Sequence, residues 1–347
     1  FYYPPSFNNR LMEISDIQRY DSKKMYETYD YWPKLAKEYY EKDFSKLEID
    51  GVDHIVFAGM GGSGTIGDII SSILSKTNIH VNVVKGYLLP KTVDSDTLVV
   101  ATSISGNTDE VLSILKNSKN TKARFISFSS DGDLEKVSIE NNIKHIKIPQ
   151  SHSPRASLPS FLYSILNVLE NVIPIKKNDI VESISKLEKT QKLISSSNLN
   201  EKNPSLSLAN WIKNIPIIYY PWGLQAAAIR FKNSLQENAK IHTISEDVIE
   251  ACHNGIVAWE NKTDVQPILI QGYDDYIKTK ERWKIFKEFL QSKQIDFKEI
   301  NSEEGNILSK IMHLIYLLDY STIYHAIESK IDPSPVKSIE FIKKRLK

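Results

Sequence analysis

The stretch "VVATSISGNTDEVLSIL", Val99 to Leu115, opens as a largely β-branched run and closes as an amphipathic one. Between the two, Ser103, Ser105 and Thr108 place three hydroxyls, with Asn107 among them, inside six residues. An apolar strand that enters a polar turn and then a helix is the βα unit of a parallel sheet covered on both faces. Val111, Leu112 and Leu115 supply the helix with one apolar stripe. Gly106 permits close backbone approach, and a helix beginning near Thr108 offers N–H groups that have no intrahelical partner. A phosphate monoester fits such a turn, although each hydroxyl alone would serve equally well as a cap or turn-former.

Outward from this stretch the same alternation continues over residues 51–150. "HIVFA", "HVNVV", "TLVVAT", "ARFISF" and "IKHIKI" read as strands, with "GTIGDIISSILSK" and "DEVLSILKNSK" as helices between them. The loop "HIVFAGMGGSGTIGD" holds Gly59, Gly61 and Gly64 in a G-x-G-x-x-G spacing, which raises a dinucleotide reading. The acidic ribose ligand is missing, however; the next strand ends in "VVKGY", where Lys85 would suit a 2′-phosphate instead. In a parallel sheet "GMGGSG" and "SISGNT" lie on the same edge, where open α/β sheets take their ligands.

The alternation restarts after "SHSPRASLPSFLYSILNVLENVIPI", a helix ending near Pro174, and after "NLNEKNPSLSLAN", which reads as a linker or surface loop. "PIIYY", "IHTI", "QPILI" and "DFKEI" are the second set of strands, with helices from about Gly223 to Gln236, Asp274 to Leu290 and Asn306 to Tyr320. The expected fold is therefore α/β, with two three-layer domains at 1–152 and 153–347, each a mostly parallel sheet flanked by helices.

Composition narrows the function classes. Among 347 residues, 44 Lys and Arg nearly balance 43 Asp and Glu, and no basic stripe is concentrated in either half, so no nucleic-acid partner is expected. The apolar segment "IMHLIYLLDYSTIY" is interrupted by His313 and Asp319 and reads as a core helix, so no membrane span is expected. The opening "FYYPPSFNNRL" carries neither the basic start nor the cleavage site of a leader. The single cysteine, Cys252, excludes a disulfide framework and thiolate clusters, and a cytoplasmic protein is expected.

Taken in order, "GMGGSG", "SISGNT", "SPRASLP", "QENAK", "CHN" and "DPSPV" resemble the motifs of the bifunctional phosphoglucose/phosphomannose isomerases, a branch of the phosphoglucose isomerase superfamily built from sugar isomerase domains. The resemblance spans nearly the whole chain. It implies that Gly61, Gly62 and Ser63 line the phosphate side, and that Ser103, Ser105 and Thr108 bind the phosphate. It implies Arg155 beside the reacting carbons, Glu237 as the catalytic base, His253 as the ring-opening group and Lys343 as its helper. Ser334 stands where many relatives carry Thr in a loop that affects C2 specificity. Such proteins are homodimers in which the histidine completes the neighbouring active site. Ile104 departs from the Tyr usual at that point, which affects packing and leaves the hydroxyls in place.

The implied reaction converts the 6-phosphates of glucose and mannose to that of fructose. One carboxylate can carry a proton between C2 and C1 if the enediolate oxygen is stabilised, and a histidine near neutrality can open the ring. No H-E-x-x-H or carboxylate cluster is present, so neither a metal nor another cofactor is expected. Two rivals keep the cradle. A sensory sugar-phosphate module would dispense with Glu237, Arg155 and His253, and an amino-sugar phosphate isomerase would change the substrate. "YYPWG", with Trp222 and Gly223, reads as a turn, and Cys252 lacks an oriented base.

Overall fold

The computed structural model describes residues 12–346; "FYYPPSFNNRL", read above for a leader, lies outside them. Two sheets form among the described residues, and every strand pairing is parallel. The first comprises β1 (His54–Ala58), β2 (His80–Val84), β3 (Thr97–Thr102), β4 (Arg124–Ser129) and β5 (Lys144–Lys147), in the order β2-β1-β3-β4-β5. The second comprises β6 (Ile215–Tyr220), β7 (Ile244–Asp247), β8 (Val265–Gln271) and β9 (Lys298–Asn301), in the order β7-β6-β8-β9. Both are flanked by helices, so the chain has two α/β domains, each built on a parallel sheet.

Every residue of β1 and β3 is buried, as their uninterrupted apolar runs require. His54 is tolerated inside β1 because both ring nitrogens are engaged across the sheet, Nδ1 with Thr97 Oγ1 at 3.0 Å and Nε2 with Asn82 Oδ1 at 2.8 Å. The helix Gly61–Leu74 lies close on β1 and β2 at Gly67, where a Cβ would stand 2.7 Å from that of Phe57 and 3.0 Å from Val83. On the other face Val111, Leu112, Ile114 and Leu115 pack with Val56, Ala58, Val99 and Ala101. The second sheet has its own core of Ile217, Tyr219, Leu269, Trp283 and Phe286.

Two compact units interleave along the chain: Tyr31–Leu187 with Gly305–Ile311, and 12–30 with Glu188–Glu304 and 312–346. The division 1–152 and 153–347 follows sequence order and remains a proposal for the sheet-bearing halves. Compactness places the helix Leu158–Val168 with the first sheet, where it packs on the helices Trp32–Glu41 and Gly61–Leu74. The Trp32 indole N–H fastens the segment before that helix by donating to the Ala156 carbonyl at 2.9 Å.

Three local expectations are corrected. "NLNEKNPSLSLAN" is not simply a loop: Pro204–Trp211 is a helix, started by Pro at its first position and capped by buried Asn203, whose side chain accepts the Leu206 N–H at 3.0 Å. The strand expected at "IHTI" begins only at Ile244, because Lys240 turns the backbone left-handed (φ 60°) and pairing with β6 starts at Ile217 opposite Ile244. The helix expected from Gly223 to Gln236 is a 3-10 turn, an α-helix over Gln225–Ser234 and a π-helical turn over Leu235–Ala239. No helix among the described residues is long and apolar enough to cross a membrane.

Candidate functional site

In the first sheet the strand order reverses between β1 and β3, and the loops that leave these two neighbours are "GMGGSG" and "SISGNT". A switch of this kind opens a crevice at the carboxyl ends of the strands. Ser63 joins the loops: its hydroxyl accepts the Ile104 N–H at 3.2 Å. Ser103 and Thr108 share a hydrogen bond of 2.8 Å between their hydroxyls, which uses one of the pair's two hydroxyl protons and leaves the other to meet a ligand oxygen. Thr108 occupies the N-cap of the helix Asp109–Lys116 without bonding a helix N–H through its side chain. Ser105, half-buried at the tip, accepts the Asn107 N–H at the long distance of 3.5 Å. The structure thus sets Gly61, Gly62 and Ser63, in the first turn of the helix after β1, beside Ser103, Ser105 and Thr108 in the loop after β3.

Gly106 is fixed by its surroundings. Its φ is +72°, and a Cβ there would lie 1.5 Å from the Asp131 carbonyl oxygen. The turn is held against the loop after β4, where Ser130 donates its N–H and its hydroxyl to the Ile104 carbonyl, at 3.0 and 2.6 Å. Lys85, weighed above for a 2′-phosphate, instead pairs with Asp68 at 2.6 Å. Burial raises the Asp68 carboxyl, and the Lys85 ammonium opposes that shift.

Arg155 belongs to the same unit and is buried. Its loop is closed by Ser157, whose one hydroxyl proton is shared between the carbonyls of Ser151 and Ser153, both at 2.9 Å, while the oxygen accepts the Ser151 N–H at 2.9 Å. Ser157 lies within "SPRASLP", a motif that by itself does not announce this role. A serine just before a Leu-Pro helix start was the available signal.

The other candidates belong to the second unit. Glu237 is half-buried in the π-helical turn Leu235–Ala239. Two buried attachments hold that turn to the helix Ile307–Glu328. Ser234 donates to Asp319 at 2.6 Å, and Asn238 donates to the Thr322 hydroxyl at 2.8 Å. Asp319 is fully buried and receives Arg230 through Nε at 3.0 Å and Nη2 at 2.7 Å. Burial works against the Arg230 charge, but Asp319 first, with smaller contributions from Tyr29 and Glu237, holds its pKa above the ordinary arginine value. Lys240 ends the turn in left-handed geometry, and its ammonium donates to the Glu237 carbonyl and, at 3.3 Å, to the Pro333 carbonyl. Ser334, the next residue, is nearly buried and gives its N–H to Asp332 at 2.9 Å. Lys240 therefore connects the Glu237 turn with "DPSPV", a role that the sequence did not disclose.

His253 stands exposed just beyond the short helix Val248–Ala251, its N–H bonded to the Glu250 carbonyl at 2.8 Å. Lys343 is exposed at the end of Lys337–Lys343, a helix in which no residue is buried. Trp222 is 71 % exposed in its 3-10 turn. Burial raises the Cys252 thiol pKa, against the opposing influence of Arg282, a direction that disfavours the nucleophilic thiolate. Gly61, Gly62, Ser63, Ser103, Ser105, Thr108 and Arg155 thus share one unit, while Glu237, His253, Ser334 and Lys343 share the other. Among the described residues no group of three or more His, Cys, Asp or Glu side chains is arranged to hold a metal ion.

Comparison with known proteins addresses both units. The SIS domain model matches residues 48–165, and the model of the bacterial phospho-glucose isomerase C-terminal SIS domain matches residues 201–346. The bifunctional phosphoglucose/phosphomannose isomerase of Caldicellulosiruptor bescii is 30 % identical over 335 residues, covering 93 % of this chain and 98 % of that protein. The D-glucosamine-6-phosphate 4-epimerase of Sulfolobus acidocaldarius is 29 % identical over 254 residues, 71 % of this chain and 77 % of its own. A crystal structure of a hypothetical protein from Thermus thermophilus shares the fold at a TM-score of 0.73 and 15 % identity, covering 96 % of this chain and 94 % of that one.

Proposed function

Because the chain belongs to the bifunctional phosphoglucose/phosphomannose isomerase-like family of SIS-domain sugar-phosphate isomerases, we propose that it interconverts glucose 6-phosphate and mannose 6-phosphate with fructose 6-phosphate. The observation that carries this reading is the fastened pair of loops at the ends of β1 and β3, where Ser63 bonds Ile104 and Ser103 bonds Thr108 beside a helix start whose cap side chain is turned elsewhere. This arrangement supports recognition of a phosphate rather than of an uncharged sugar.

In this reading the residues after β1 and β3 hold the phosphate, and the acid/base groups act at C1, C2 and the ring oxygen. His253, assisted by Lys343, moves the proton between O1 and the ring oxygen as the ring opens. Glu237 removes the proton from C2, Arg155 stabilises the enediolate oxygen, and Glu237 returns the proton to C1. Glucose and mannose 6-phosphates differ only at C2 and pass through a common enediolate, so one carboxylate serves both. Two copies of the chain act together, His253 of each completing the site of the other, and the reaction runs in the cytoplasm without a metal or other cofactor.

The test is a coupled assay that supplies each aldose phosphate separately in the presence of a chelator and follows fructose 6-phosphate. Turnover of both is expected, and Glu237→Gln is expected to lower kcat by at least about 10³-fold while binding of a phosphosugar inhibitor persists. Binding without turnover in the unaltered protein would assign it to the sensory class. The likeness to an amino-sugar phosphate epimerase supports one second reading, and turnover of glucosamine 6-phosphate in place of the neutral sugars would favour it.

A further inference from the structure

We propose that Lys240 is a positioning residue that sets the register between the Glu237 turn and the Asp332–Pro335 loop, and thereby the balance between the two C2 epimers; the inference rests on the isomerase reading above. The carbonyls it bridges are those of Glu237, the proposed base, and of Pro333, which immediately precedes Ser334. Their segments are far apart in sequence, Lys240 and Pro333 being separated by 93 positions. The loop is anchored on its other side by Asp332, which accepts the Ser334 N–H at 2.9 Å and the Ser22 hydroxyl at 2.5 Å. Lys240 thus supplies a second anchor to the loop and its tie to the base.

The chemistry of the residue suits that task. An ammonium carries three donors on a flexible stem and can hold two carbonyl oxygens together, whereas an apolar side chain of the same length holds neither. The end of a helical turn leaves carbonyls without intrahelical partners, and Lys240 takes one of them. Its left-handed backbone (φ 60°, ψ 31°) ends the turn at that point. Lys240 is itself exposed, so its replacement opens no cavity. The epimers differ only in the direction of one hydroxyl at C2, and a displacement of about 1 Å or less between base and loop alters which is presented correctly.

The experiment compares unaltered protein, Lys240→Met and Lys240→Arg on glucose 6-phosphate and mannose 6-phosphate, measuring kcat and KM for each together with the thermal midpoint. For Lys240→Met, kcat is expected to fall about tenfold with KM nearly unchanged, and the ratio of the two kcat values to shift at least about threefold. Lys240→Arg, which restores a cation with several donors, is expected to recover most of both. An unchanged ratio in Lys240→Met overturns the inference, as does a loss that tracks a collapsed thermal midpoint or that Lys240→Arg fails to recover. If the unaltered protein isomerises neither sugar, the isomerase reading itself has failed and the inference falls with it, an outcome distinct from an active enzyme indifferent to Lys240.

Discussion

At the scale of single residues, the loop after β3 depends on one position that admits no side chain. Gly106→Ala combines a left-handed backbone with a Cβ placed 1.5 Å from the Asp131 carbonyl oxygen. Either the turn or the loop after β4 must move, so a loss of at least about 2 kcal/mol is expected in urea unfolding, with weakened inhibitor binding. Unfolding at the unaltered denaturant midpoint would show that the turn adapts. Much of this neighbourhood was legible in sequence, since glycines and hydroxyls in a short strand-to-helix turn announce their geometry locally. Lys240, Asp319 and Ser157 were not legible as positioning groups. Asp319 meets Arg230 across 89 positions of chain, and nothing within either segment names the other. Lys85 shows the converse: its place at the end of β2 invited a ligand, and Asp68 within the folded unit pairs with it instead.

At the scale of elements, β1, β2 and β3 were read residue for residue because their runs are apolar and bounded by turn-formers. β7 was misplaced because "ISED" has no apolar rhythm; parallel pairing with β6, and no internal pattern, makes it a strand. The helix Pro204–Trp211 hid in an Asn- and Ser-rich stretch for a related reason. Asn203 looks like a loop residue, yet its side chain caps the helix and donates to the carbonyls of Ile194 at 3.2 Å and Asn198 at 3.0 Å. Asn203→Ala should therefore cost about 1–3 kcal/mol, more than an exposed cap would, because the carbonyls it serves lose a buried partner. Urea unfolding checks this, and a change below about 0.5 kcal/mol would mean that water or rearrangement replaces the side chain.

At the scale of the whole molecule, each unit carries a histidine whose protonation burial disfavours. His145 touches Ser127 and Ser129, and His325 meets the Ala209 carbonyl through Nδ1 at 3.0 Å. Burial is the chief cause lowering both pKa values below the ordinary 6.5; Glu135 opposes it at His145, and the Ala209 carbonyl opposes it at His325. Between 6.5 and the lowered folded values the unfolded chain binds protons that the folded chain refuses, so stability is complete above that window and is lost as pH falls through it. Urea midpoints measured from about pH 7.5 down to about pH 5 should decline, and His325→Phe should flatten the decline even though it removes a hydrogen bond. An unaltered slope in that variant would exclude His325 as a source. The interleaving of the two units has a consequence for synthesis on the ribosome. The five strands of the first sheet have all been made by Lys147, yet their unit lacks Gly305–Ile311 until most of the chain has been translated. The nascent protein therefore carries a sheet whose enclosing unit is unfinished through more than a hundred further residues, an interval in which a chaperone has something to hold.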